Sequence, residues 1–110
     1  MDGCLFCKIA AGEIPSSKVY ENEFCFAFRD INPQAKTHVL VIPKQHVANA
    51  RECPEELAGK VLAACGEVAK IEKLDGGFRL VSNCGKDACQ SVNHFHVHVL
   101  GGEQLNDKMA

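Results

Sequence analysis

Apolar residues recur along the chain with two periods. Val19-Tyr20 and Phe24 to Arg29 flank the polar turn Glu21-Asn22-Glu23. Phe24, Phe26 and Phe28 alternate with Cys25, Ala27 and Arg29, the period-two pattern of a strand with one apolar face. Thr37 to Ile42 is β-branched and apolar and predicts a third strand, whose ladder Pro43 ends. Leu57, Val61, Cys65 and Val68 instead recur every three or four residues, one stripe of a long helix over Pro54 to Leu74. Pro54 suits the first helical position, Glu55 and Glu56 the first turn, and Lys70 and Lys73 the C-terminal dipole. Asp75-Gly76-Gly77 stops that helix. Leu5 to Ala11 reads as a short helix, opened by Asp2 or Gly3 and closed by Gly12. Phe78 to Ser82 predicts a strand, and the small, polar run Asn83 to Ser91 a loop. Phe95, Val97 and Val99 alternate with three histidines in a final strand. The order α-β-β-β-α-β-β predicts an α+β fold: an antiparallel sheet of about five strands with one long and one short helix.

Composition narrows the functional classes. The length of 110 residues suits one domain, residues 1–110, and 46% apolar content suits a folded globule. A net charge of −2 with no basic stripe argues against binding to a nucleic-acid backbone. No stretch is long enough to span a bilayer, so no membrane partner is expected. The start Met1-Asp2-Gly3-Cys4 lacks the basic region and apolar run of a signal peptide, and Gly3 is misplaced for myristoylation. The expected location is the cytoplasm, with the nucleus reachable by passive diffusion. Seven cysteines, an odd count, then point to reduced thiols, some of them metal ligands.

The chemistry concentrates in His94-Phe95-His96-Val97-His98. On a strand the three imidazoles share one face, roughly 7 Å apart, while Phe95 and Val97 point the other way. Three readings fit: a histidine-rich solvent face, a His-x-His metal site with a third ligand from elsewhere, or nucleophilic catalysis. Neutral imidazole is a good nucleophile near pH 7, and a flanking histidine can hold positive charge beside a phosphate. The preceding loop, Asn83 to Ser91, is rich in small residues whose N–H groups can turn toward an anion. Cys4-Leu5-Phe6-Cys7 opens a helix with two thiols on one side. A redox pair, a half-complete zinc site and two buried free thiols are the readings of that motif. Cys25, Cys65, Cys84 and Cys89 show no such pairing and read as small core or loop residues.

The segment Gln90 to Leu100 resembles the His-x-His-x-His signature of the histidine-triad nucleotide-binding family. Ile14-Pro15, Phe28 to Pro33, Thr37 to Lys44, Asn83-x-Gly85 and Gly101-Gly102 agree in order and spacing, so the likeness covers nearly the whole chain. It is closest to the small nucleoside phosphoramidate hydrolases. The resemblance implies the histidine-triad fold and a set of roles. His96 attacks the α-phosphorus, giving a nucleotidyl-histidine that water hydrolyses. His98 contacts the phosphate as its charged neighbour, and His38 hydrogen-bonds within the cluster. Asp30 accepts from the ribose hydroxyls, and Phe6, Ile9, Phe28 and Ile31 line a purine pocket. Asn83 and Ser91 hold phosphate oxygens, with Ser91 near the leaving amine and Cys89 and Val92 completing the nucleotide contacts. Cys4, Cys7, His46 and His94 hold a structural zinc. A homodimer through the long helix and following strand is also implied.

The chain departs from the family pattern in three places. Cys89 stands where glycine is usual, Lys36 where a small residue or proline is common, and the tail after Gly102 is short and lacks tryptophan. The expected activity is cleavage of the P–N bond in purine nucleoside 5′-phosphoramidates. Hydrolysis of dinucleoside polyphosphates such as diadenosine tri- or tetraphosphate, and a non-enzymatic nucleotide-binding scaffold, are the rivals.

Overall fold

Strand β3 (Thr37–Pro43) is the most apolar segment of the chain and takes the centre of the sheet. Burial on both faces explains why its sequence runs Val-Leu-Val-Ile without polar alternation. In the computed structural model, which describes residues 3–109, the sheet has the order β1-β2-β3-β5-β4. β1 is Lys18–Glu21, β2 Cys25–Arg29, β4 Phe78–Val81 and β5 Val97–Gly101. All neighbours are antiparallel. The α+β architecture expected from the pattern is therefore present.

The two faces of β3 divide the apolar residues. Val39 and Val41 pack with Cys25, Ala27, Phe95 and Val99 beneath the long helix α2 (Glu55–Ile71). Leu57, Val61, Cys65 and Val68 of α2 are all buried there, so the predicted stripe is core of this chain. Leu40 and Ile42 face the other way, with Phe26 and Phe28, against the short helix α1 (Leu5–Ala10). His38 and His98 share the α1 side by the same alternation: His98 lies opposite Leu40, one step along β3 from His38.

Several boundaries differ from the sequence expectation. Asp2 lies outside the described residues. Cys4, rather than Gly3, caps α1, and its sulfur accepts the Cys7 backbone N–H at 3.4 Å. Pro54 is the cap of α2, not its first residue, and the helix stops at Ile71. Lys73 sits past the end in the left-handed region, at φ +57°. Phe24 lies outside β2, under the Lys60 ammonium at 4.7 Å, so only Phe26 and Phe28 share the predicted face. The last strand starts at Val97, and His94 and His96 precede it. Their backbone has left the β3 ladder: the Phe95 N–H donates to the Val47 carbonyl at 2.7 Å instead. No helix among the described residues is long and apolar enough to cross a membrane.

Candidate active site and metal centre

A cleft of about 860 Å³ opens between α1, the end of β2 and the histidine segment. Phe6 and Ile9 of α1, with Phe28 and Leu40 of the sheet, give it an apolar floor. The Phe6 ring meets Phe28 edge-on at 5.5 Å and His96 at 5.1 Å. Asp30 and Ile31 stand at one wall; Ser91, Val92, His96 and His98 form the other. Ile31 is fully exposed, an apolar side chain held in water at the mouth. Asp30 also turns its own loop, its Oδ1 accepting the Asn32 N–H at 2.8 Å.

Hydrogen bonds assign the tautomers of the histidines. The Gln34 backbone N–H donates to His38 Nδ1 at 2.9 Å, so neutral His38 carries its proton on Nε2. That N–H donates to His98 Nδ1 at 2.8 Å, with Asp30 Oδ2 at 3.4 Å alongside. His98 must then hold its proton on Nε2, an N–H available to a ligand. His96 is set differently: its Nδ1–H donates to the His94 carbonyl at 2.8 Å. Its Nε2 is left with a free lone pair in a residue that lines the cleft. Burial, then the neighbouring His96 and His38, push the His98 pKa down to about 4, and burial lowers that of His38. His98 is therefore a neutral N–H donor in the free protein.

A second cluster adjoins the first. Cys4, Cys7, His46 and His94 place one ligand atom each within 4.8 Å of all the others. His94 Nδ1 lies 3.3 Å from Cys4 Sγ and 3.5 Å from Cys7 Sγ, and His46 Nδ1 lies 3.4 Å from Cys7 Sγ. Tetrahedral zinc with bonds of about 2.0–2.3 Å separates its ligand atoms by roughly 3.3–3.8 Å. The donor set and spacing thus fit zinc. The His94 Nε2–H donates to the Pro43 carbonyl at 2.8 Å, which frees Nδ1 as a ligand. Asp30, His38 and His98 are similarly close. There the Gln34 N–H fixes the proton of His38 on the nitrogen a metal would need, so the link is a hydrogen bond.

Residues 11–105 match the family model described as HIT domain. The chain belongs to the HIT domain family. It is 51% identical over 107 residues to the Zea mays protein named 14 kDa zinc-binding protein, covering 93% of this chain and 84% of that one. It is 45% identical to the Arabidopsis thaliana protein named Adenylylsulfatase HINT1, covering 93% and 73%. The solved HIT family hydrolase from Clostridium thermocellum superposes with a TM-score of 0.95 at 41% identity, over 100% of this chain and 99% of that one.

Within this HIT fold, the residues expected to touch a nucleotide divide. Phe6, Ile9, Phe28, Asp30, Ile31, Ser91, Val92, His96 and His98 line one cleft. Asn83 and Cys89 do not. The Asn83 amide donates to the Ala88 carbonyl at 2.7 Å, and exposed Cys89 sits at φ +62°. A glycine at this position would relieve that backbone strain, and a thiol side chain does not. Sequence reasoning missed Leu5, Ser16, Ser17, Arg29 and Leu40 in the lining, and Gln34, which acts only through its main chain.

Proposed function

We propose that this HIT protein is a nucleotide hydrolase that cleaves purine nucleoside 5′-phosphoramidates through a nucleotidyl group on His96. The observation that carries the reading is the His94 carbonyl holding Nδ1–H of His96 while Nε2 keeps its lone pair. Nε2 attacks the α-phosphorus, and the phosphorus–nitrogen bond breaks. The amine leaves with that electron pair and takes a proton from solvent at the Ser91 wall. The nucleotidylated ring is an imidazolium, and the His94 carbonyl, still accepting from Nδ1–H, faces its charge. The His98 Nε2–H donates to a phosphoryl oxygen. Water then attacks phosphorus, the bond to Nε2 breaks, its electrons return to His96, and the surplus proton goes to solvent. The purine lies on Phe6, Ile9, Phe28 and Ile31, and Asp30 accepts from the ribose hydroxyls.

Cys4, Cys7, His46 and His94 hold zinc as a structural ion that fixes α1 to the histidine segment. The chain pairs with a second copy through α2 and β4. Exposed Leu62, Ile71, Phe78 and Leu80 on those elements support this pairing.

Mixing the protein with an adenylyl-lysine analogue and reading intact mass after an alkaline quench tests the chemistry. An adenylyl adduct on His96, absent in His96→Ala together with turnover, is expected. Normal turnover by His96→Ala without any adduct would sink the mechanism. The name of the Arabidopsis relative favours one second reading, adenylyl sulfate with sulfate leaving in place of the amine. Higher kcat/KM for adenylyl sulfate selects it, and a preference for diadenosine tetraphosphate rejects both.

A further inference from the structure

One side chain outside the cleft holds the loop that lies behind its Ser91-Val92 wall. Residues 83–91 bond mainly to themselves. The Asn83 amide donates to Ala88, the Cys89 N–H to the Lys86 carbonyl, and the Gln90 N–H to the Gly85 carbonyl at 3.1 Å. The Gln90 side chain does more. Its Oε1 accepts the Gly85 N–H at 2.9 Å, closing the loop into a ring. Its Nε2 donates to the Ala48 carbonyl at 2.7 Å and to the Val92 carbonyl at 2.9 Å. Among the described residues, the hydrogen bonds that tie 83–91 to the rest of the fold all leave from this amide.

Each anchor has a location that matters. Val92 and the adjoining Ser91 form the cleft wall beside His96 and His98. Ala48 lies two residues past His46, and the Val47 carbonyl between them accepts the Phe95 N–H. Gln90 therefore spans the phosphate-facing wall, the loop behind it and the arm that carries one metal ligand. No other common side chain of this length offers one acceptor and two donors without charge.

We infer that Gln90 is a positioning residue for the reacting phosphate: its amide sets where the Ser91-Val92 wall stands against the Nε2 atoms of His96 and His98. The inference rests on the phosphoryl-transfer reading of the cleft, but its consequences are separable. Gln90 is not among the residues that line the cleft, so affinity for the nucleoside alone is expected not to depend on it. Displacement of the wall by about 1 Å is enough to slow a positioned reaction on the order of a hundredfold.

The test compares wild type with Gln90→Met, which keeps length without the hydrogen bonds. A second variant, Gln90→Glu, keeps the acceptor for Gly85 and turns a carboxylate on the Ala48 and Val92 carbonyls. The readouts are affinity for adenosine and for AMP, the rate of adduct formation, metal content and Tm. Both variants are expected to bind adenosine within about twofold of wild type and to hold the same metal. AMP affinity and adduct rate should fall by roughly tenfold or more, Gln90→Glu being the worse. Equal losses for adenosine and AMP, tracking a fall in Tm, would reduce Gln90 to a stability staple and overturn the inference, as would a wild-type adduct rate in Gln90→Met. Should these variants fail to fold, Gln90→Asn, shorter by one methylene with both amide groups present, carries the same comparison. If wild type itself forms no adduct, the proposed chemistry fails, and the ratio of AMP to adenosine affinity still decides the role of Gln90.

Discussion

A single backbone N–H, that of Gln34, sets the proton order of two linked imidazoles, His38 and His98. The order holds only while both rings stay neutral, and burial keeps them so. This couples the site to stability. In the unfolded chain histidine titrates near about 6.5. In the folded chain His98 resists protonation to about 4, and His38 is also lowered. Between those limits protons bind the unfolded chain first, so the contribution to stability is intact above about pH 6.5 and declines as pH falls toward 4. Urea unfolding at stepped pH should show that decline, and His98→Asn should flatten it. A stability independent of pH across that window would contradict the assigned tautomers. None of this was legible in the sequence, where three histidines in alternation look equivalent. Their difference arises from main-chain partners at Gln34, Pro43 and His94, which no side-chain pattern announces.

Helix α1 is six residues long, too short to persist alone, yet it serves two sites. Cys4 caps it and Cys7 lies one turn on, while Phe6 and Ile9 between and beyond them floor the cleft. A metal held by Cys4, Cys7, His46 and His94 would thus anchor the helix that floors the cleft. Chelation should lower Tm and weaken AMP binding. Loss of one apolar side chain from the floor is worth about 1.5–3 kcal/mol, which corresponds to tenfold or more in Kd. Calorimetric titration of metal-free and zinc-loaded protein measures this, and equal AMP affinity in both would separate the helix from the metal. The elements themselves were readable: the stripe of α2 and the apolar run of β3 are buried where periodicity placed them. Ends were less so. Phe24 reads as strand by pattern, but its contact is with Lys60 of a helix distant in sequence. Gln90 looks like an ordinary loop residue until Ala48 comes to meet it.

At the scale of the molecule, the sheet ends on β4, whose outer edge pairs with no further strand among the described residues. Phe78 and Leu80 on this strand are exposed, as are Leu62 and Ile71 of α2, whose opposite stripe is already buried in the core. A charge placed there, as in Leu80→Lys, should shift the sedimentation of the protein from dimer to monomer without unfolding it. A wild-type chain that sediments as a monomer at all concentrations would refute the pairing. One further consequence follows from the acceptor that holds His96. It is the carbonyl of His94, a main-chain atom that every amino acid at position 94 supplies alike. A substitution there can remove the imidazole of His94 and leave the acceptor that orients His96 in place. Selection can therefore act on the His94 side chain, and on the helix it meets, without touching the acceptor that orients His96.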